Sequence, residues 1–494
     1  MRGEVVIKAD EINAQLTASP DNHPYPFDHI VYTNIGNPHS VGQKGLTWPR
    51  QVMSLVDLPR DVGVNHPLAS KMFPSDTIER ARSIKKALNG YGIGAYTHSQ
   101  GPLVFREEIC KFIEERDDLE EGSTNPANIF MTNGASSGIE MILDALIASS
   151  TTYVNEKYLY HLFVSPFLSN LHFCSGVMIP IPQYPIYSAT IDRFGGKKVG
   201  YYLDEENGWD MNLEELERSL ADAKANGINV NSFVLINPGN PTGQVLGREA
   251  IRDIVKFCSK HNLVLLADEV YQENVYDDDA EFYSCKRAAK DIGLDEKHLD
   301  ALELISFHST SKGLFGECGR RGGYMEVSGC DAGMKDQIYK LASANLCSNV
   351  PGQIMTSLMV NGPKEGDESY KIHEDEKKAV FESLKRRAEI VGKGFNAIPG
   401  FSCQEVQGAM YCFPKVTMPS AAVKYAKEQE MTPDTLYAVS LLESTGICVV
   451  PASGFGQEEG RFGFRTTFLP PEDEMIRVVD LIHKHHLEFC KKYQ

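Results

Sequence analysis

Residues 233–243 read FVLINPGNPTG. The apolar run from Phe233 to Ile236 ends abruptly in a loop of Asn, Pro, Gly and Thr. A short apolar run bounded by turn residues fits a strand buried on both faces, which is the habit of parallel sheets covered by helices. Three more runs outward from it have the same character: Val177 to Ile181, Leu263 to Ala267 and Leu304 to Phe307. Between them, apolar residues recur at helical spacing, as in Leu213 to Ala225 and Arg248 to Lys260. This alternation, from about residue 130 to 350, predicts an α/β fold with a mostly parallel sheet flanked by helices.

At 494 residues the chain exceeds the length at which one hydrophobic core stops growing, so more than one domain is expected. Residues 361–378, NGPKEGDESYKIHEDEKK, read as a charged break before the helical pattern FESLKRRAEIVGKGF at 381–395. The expected division is a large domain over 76–365 and a smaller α/β domain over 366–494, which residues 1–75 join as an arm. The start of the chain is rich in Pro, Asn and His and shows no periodic core, so it should pack on other domains or on a partner subunit.

A formal charge of -18 and a pI near 5.3 repel phosphate backbones and anionic lipid, so neither nucleic acid nor membrane is an expected partner. No apolar run approaches the ~18 to 20 residues of a membrane span. MRGEVVIKADEI resembles neither a signal h-region nor a transit peptide, and CKKYQ is no peroxisomal address. A cytoplasmic location is expected, or a mitochondrial one if a leader was trimmed. The 11 cysteines are scattered without a CxxC pair or zinc spacing, which predicts reduced, buried thiols and no metal.

In open α/β sheets ligands bind at the carboxyl ends of strands. Here those ends carry polar residues that packing does not explain: NPGNPTG with Asn240, then Asp268, Glu269 and Tyr271, then Ser309, Ser311 and Lys312. If the strands are parallel, an Asn, an Asp, a Tyr and a Lys converge on one crevice. In NGASSGIEMILDALI, Gly134 to Gly138 opens an amphipathic helix whose N–H groups could receive an anion, although alone it reads more simply as an N-cap. Alone, Asp268 reads equally as a helix N-cap, and Tyr96 and Tyr184 as core aromatics. A lysine, a buried carboxylate, ring-oxygen donors and a phosphate cradle are together what pyridoxal phosphate needs: an amine for its aldehyde, an acid for its pyridine nitrogen and an anion site.

The strings NPGNPTG, ADEVYQ, SFHSTSKG, RRGGY and FRTT, in this order, resemble the fold type I, aspartate-aminotransferase-like enzymes over nearly the whole chain. Within that group, NIGNPHSVGQ, YGIGAYTHSQG, MTNGASSGIE, IPIPQYPIYSA and FHSTSKGLFGECG are similar to the alanine aminotransferase branch. The resemblance implies a homodimer in which L-alanine and 2-oxoglutarate exchange an amino group to give pyruvate and L-glutamate, in two half-reactions. It implies Lys312 as the Schiff-base lysine, Asp268 under the pyridinium nitrogen, and Asn240 with Tyr271 on the ring hydroxyl. Gly134, Ala135, Ser136, Ser309 and Arg321 would hold the phosphate, Tyr184 would stack on the cofactor face, and Tyr96 would reach the neighbouring subunit's phosphate. Arg465 in FRTT would grip the substrate α-carboxylate, with Gly36 and Asn240 beside it. The family usually has an aromatic residue before the functional arginine; of the pair here, Arg321 aligns with RGGY and Arg320 reads as a solvated charge.

The pattern departs from the family at Ser150 to Gly176, an aromatic-rich segment where relatives have a short loop. It reads as a lid or docking flap, or, the preferred reading, as a translated intron. Rival functions are a glutamate:glyoxylate or aromatic aminotransferase, an aminocyclopropane-carboxylate synthase or β-elimination lyase using the same Lys312 and Asp268, and a non-catalytic regulator on the same fold. A Rossmann nucleotide protein is weaker, because no strand leads into GxGxxG.

Overall fold

The computed structural model describes residues 3–90, 92–147, 174–298 and 301–494. Within these, the central sheet has seven strands: β1 Ile129–Thr132, β2 Cys174–Ile181, β3 Lys197–Tyr202, β4 Ile228–Ile236, β5 Val264–Asp268, β6 Leu304–Ser309 and β7 Gly323–Ser328. Their spatial order is β1-β7-β6-β5-β4-β2-β3. β7 runs antiparallel to both its neighbours, and the other pairs are parallel. The four expected strands are β2, β4, β5 and β6. The expectations placed on residues 150–173, both the flap and the intron, lie outside the described residues; Cys174 to Gly176 already belong to β2.

Strand side chains alternate between faces, and here both faces are apolar. Val234, Leu266, Ile305 and Phe307 face one core with Ile139, Ile142 and Leu143 of the helix Ala135–Leu146. Phe233, Leu235, Leu265 and Leu304 face a second core with Leu216 and Leu220 of the helix Leu213–Ala225 and Ile251, Ile254 and Val255 of the helix Arg248–His261. This two-sided burial is why the runs are continuous rather than alternating. The register pairs Ile236 with Asp268 and Asp268 with Phe307, so β4, β5 and β6 end level with one another.

The N-terminal reading needs correction. Residues Glu4–Ala18 form a helix that buries Val5, Ala9, Ile12 and Leu16, a helical stripe within what reads as a coreless segment. After it, Val31–Tyr32 pairs in parallel with Ile447–Cys448, which carries the following residues toward the sheet's carboxyl ends. The charged break also needs correction, because its second half is the start of the helix Tyr370–Asn396. Lys371 Nζ lies 2.5 Å from Asp375 Oδ2 and Lys377 Nζ 3.6 Å from Glu374 Oε1, pairs at helical spacing on a wet face. On its packed side the His373 ring meets Trp48 at 5.5 Å, and Glu376 accepts a 2.7 Å hydrogen bond from the Thr47 amide. A three-stranded antiparallel sheet sets Phe464–Thr467 between Tyr411–Cys412 and Val450–Pro451 and fixes the position of Arg465.

Of the ten cysteines whose side chains are described, seven are buried. Among the described residues no helix is long and apolar enough to cross a membrane.

Candidate active site

Asp268 is the last residue of β5, and Lys312 follows the end of β6 by three residues. Lys312 Nζ donates a 2.9 Å hydrogen bond to the Gly36 carbonyl and lies 5.7 Å from the centre of the Tyr271 ring. Asp268 is buried; its Oδ2 accepts a 2.9 Å hydrogen bond from the Tyr187 hydroxyl, and its Oδ1 has no partner among the described residues. Turns, not a helix, follow Asp268, so the N-cap reading fails. Burial pushes its carboxyl up to about 6, against the opposing pull of the Tyr187 hydroxyl, the Val270 amide and Lys312. Burial pulls the Lys312 ammonium down, but Tyr411, Cys318 and Tyr184 outweigh it and the net direction is upward.

Arg465, buried on its short strand, donates from Nη1 to Asn240 Oδ1 at 3.1 Å and from Nη2 to the Asn34 carbonyl at 2.6 Å. This joins three parts of the chain at one cation: the NPGNPTG loop, the stretch before Gly36 and the FRTT strand. Gly36 is buried, and a Cβ there would collide with Tyr411 Oη and lie 3.0 Å from Lys312 Nζ. Tyr184 is half-buried at the start of the helix Pro185–Phe194.

At the far end an arginine meets a helix start. The helix Ala135–Leu146 starts at Gly134, whose φ of 77° suits glycine and whose missing Cβ leaves room for the Arg321 guanidinium, 2.8 Å from where a Cβ would sit. Arg321 Nη2 donates to the Asn133 carbonyl at 2.9 Å and Nη1 lies 3.4 Å from Ser311 Oγ, so the same arginine touches the helix start and the lysine loop. Ser309 Oγ accepts from the Ser311 amide at 3.1 Å. Ala135 is buried and Ser136 exposed at the same helix start. Arg320 keeps a partly solvated side chain, with its Nε 3.8 Å from the buried carboxylate of Glu317. Tyr96 stands apart, 78% exposed, which removes its reading as core.

Two site residues escaped the sequence reading. Tyr187 lies one helical turn after Tyr184, and that spacing was the available signal. Tyr411 is 2% exposed, adjoins Lys312 across Gly36 and is stacked under Arg465 at 4.2 Å, yet its two-residue strand leaves no periodic signal. Together the residues offer a lysine amino group, a buried carboxylate oxygen without a partner among the described residues, a buried guanidinium at Asn240 and a second guanidinium at a helix start.

The profile of the family "Aminotransferase class I and II" matches residues 61–482. The chain belongs to this aminotransferase family. Alanine aminotransferase 2 of Panicum miliaceum is 45% identical to it over 100% of this chain and 96% of that protein. Glutamate–glyoxylate aminotransferase 1 of Arabidopsis thaliana is 42% identical over 100% of this chain and 94% of that protein. The solved structure titled alanine aminotransferase from Pyrococcus furiosus superposes with a TM-score of 0.71 at 21% identity, covering 98% of this chain and 96% of that one, a likeness of fold. The family resemblance and the α/β architecture drawn from the motifs therefore hold, and the non-family Rossmann alternative falls.

Proposed function

We propose that this aminotransferase uses pyridoxal phosphate to exchange an amino group between L-alanine and 2-oxoglutarate, yielding pyruvate and L-glutamate. The observation that carries the cofactor reading is Asp268 Oδ1, a buried carboxylate oxygen with no partner among the described residues, at the end of β5 beside the strand β6 that leads to Lys312. Such an atom calls for a charged N–H, and a pyridinium nitrogen supplies one. Support for alanine comes from the 45% identical relative of that name.

In this reading Lys312 is the amine for the cofactor aldehyde, and Asn240 and Tyr271 serve the ring hydroxyl. Tyr184 packs on the ring face. Gly134, Ala135, Ser136, Ser309 and Arg321 receive the phosphate. When bound, pyridoxal phosphate supplies an electron sink for negative charge at the substrate Cα. Asp268 keeps that sink protonated. Lys312 Nζ, once free, takes the proton from the substrate Cα. Arg465 holds the α-carboxylate bidentately, with Asn240 and Gly36 fixing its approach. The exposed Tyr96 is available to a second copy, which supports a homodimer. The division into a 76–365 cofactor domain and a small domain from 366–494 with residues 1–75 belongs to the same proposal, as does a cytoplasmic or mitochondrial location.

Mixing the purified protein with L-alanine alone should convert the absorbance of the lysine-bound aldehyde to that of the amine form, with one pyruvate released per site. No conversion would remove the reading. The 42% identical glutamate–glyoxylate relative favours one second reading, and a larger kcat/KM for glyoxylate than for pyruvate would select it.

A further inference from the structure

Tyr411 has no role in the scheme above, yet it touches three of its participants. The residue is 2% exposed on the strand Tyr411–Cys412, which the register Tyr411 with Thr467 clamps to the strand carrying Arg465. The Arg465 guanidinium lies 4.2 Å from its ring centre, a cation–π contact that holds the ring from one side. The Tyr271 ring meets it edge-on at 6.0 Å and 87°, and the Tyr271 hydroxyl donates to Tyr411 Oη at 3.3 Å. Lys312 Nζ adjoins the same phenol across Gly36: a Cβ on that glycine would strike Tyr411 Oη and lie 3.0 Å from Nζ, and each group shifts the other's proton affinity.

The polarity of these bonds follows from the charges around them. The groups acting on Tyr411 are Lys312, Arg465 and Tyr271; those around Lys312 also include Tyr184, Cys318 and Asp268. Burial pushes the Tyr411 phenol up, but the cations Lys312 and Arg465 outweigh it and the net direction is downward. Burial pushes Tyr271 well above its ordinary value, with Tyr411 adding to the rise. Of the two phenols Tyr271 is thus the donor and Tyr411 Oη the acceptor. The absence of a side chain on Gly36 is what admits that oxygen, since a Cβ there would strike it.

We propose that Tyr411 is a positioning residue for Lys312: its hydroxyl oxygen and the Gly36 carbonyl form a two-acceptor berth that holds the lysine amino group whenever it is not bonded to cofactor. This rests on the reading of Lys312 given above. A free lysine has four rotatable bonds, and two fixed acceptors confine it to the rotamers from which Nζ reaches the substrate Cα. A phenylalanine at 411 would keep the ring under Arg465 and lose only the berth.

The test is Y411F in the full-length protein, read in two ways. In the cofactor-free protein, the pH dependence of Lys312 acetylation, followed by peptide mass spectrometry, should shift downward by about one pH unit, because an acceptor that favours the ammonium is gone. In the cofactor-loaded protein, kcat should fall roughly 10- to 100-fold, the scale of a lost hydrogen bond to a charged group, with KM for alanine within about threefold of wild type. Unchanged Lys312 titration overturns the inference. A raised KM at unchanged kcat also overturns it and makes Tyr411 a substrate contact. If Y411F does not fold, Gly36→Ala displaces the hydroxyl while keeping the phenol, and the same downward shift is expected; its absence overturns the inference. Borohydride reduction of wild-type protein with pyridoxal phosphate separates the two levels: no label on Lys312 removes the functional reading together with the berth, whereas a labelled Lys312 with wild-type behaviour of Y411F removes the berth alone.

Discussion

The Tyr187 hydroxyl donates a 2.9 Å hydrogen bond to Asp268 Oδ2, leaving the other carboxylate oxygen buried and unpaired among the described residues. Tyr187 therefore orients the carboxylate and opposes the effect of burial on it. Tyr187→Phe should raise the proton affinity of Asp268 further and weaken pyridoxal phosphate binding about tenfold, the scale of a charge-assisted hydrogen bond. Equilibrium titration with the cofactor checks this, and unaltered affinity would show that Asp268 needs no second partner.

Asp268 also predicts a pH-dependent stability in the cofactor-free protein. Its folded pKa of about 6 lies above the ordinary 3.8. Its contribution is thus fully present below about 3.8 and is lost as pH rises through about 6. Asp268→Asn removes this titration, so the melting temperature of the variant relative to wild type should climb between pH 4 and pH 7 and level off above. The full difference corresponds to about 3 kcal/mol as an upper bound. A difference that does not vary with pH would contradict it. Glu269, pushed by burial to about 7, titrates in both proteins and cancels in the comparison.

Lys312→Ala should abolish turnover and the lysine-bound absorbance while leaving non-covalent cofactor binding measurable. Retained turnover would exclude the proposed chemistry.

Arg465→Ala should raise KM for every amino and oxo acid by a similar factor, about 10- to 100-fold, because all share the α-carboxylate. An effect confined to one substrate would assign the arginine to that side chain instead. The same variant frees Asn240 Oδ1 and the Asn34 carbonyl, so its melting temperature is a needed control.

Gly36→Ala tests the close approach at the lysine. The added methyl strikes Tyr411 Oη, and overpacking of this kind costs about 1 to 3 kcal/mol. Activity should fall more than tenfold while the melting temperature drops by only a few degrees; normal turnover would mean the pocket relaxes freely.

Much of this was legible because strand ends and helix starts are local. The runs at 233–236 and 304–307 mark their strands through continuous apolarity, and Asp268 and Lys312 stand out because a charge at the end of such a run has no packing role. Other signals misled. The charged stretch at 370–378 reads as a break when its charges are counted and as a helix when they are paired at three and four residues, a choice settled only by Trp48 and Thr47 packing against it. The stripe Val5, Ala9, Ile12, Leu16 is spread thinly among polar residues and becomes a core face only once the rest of the chain covers it.

The sequence alone determined the α/β architecture and the family, because burial of both sheet faces and a short ordered set of loop motifs are written in consecutive residues. Tertiary structure alone decided who touches whom in the crevice. Asn240 meets Arg465 across 225 positions and Lys312 meets Gly36 across 276, and no local pattern encodes such contacts. They arise only when the strand ends have been brought level and the N-terminal and C-terminal segments close over them, which is also how Tyr411 comes to lie between the lysine and the arginine.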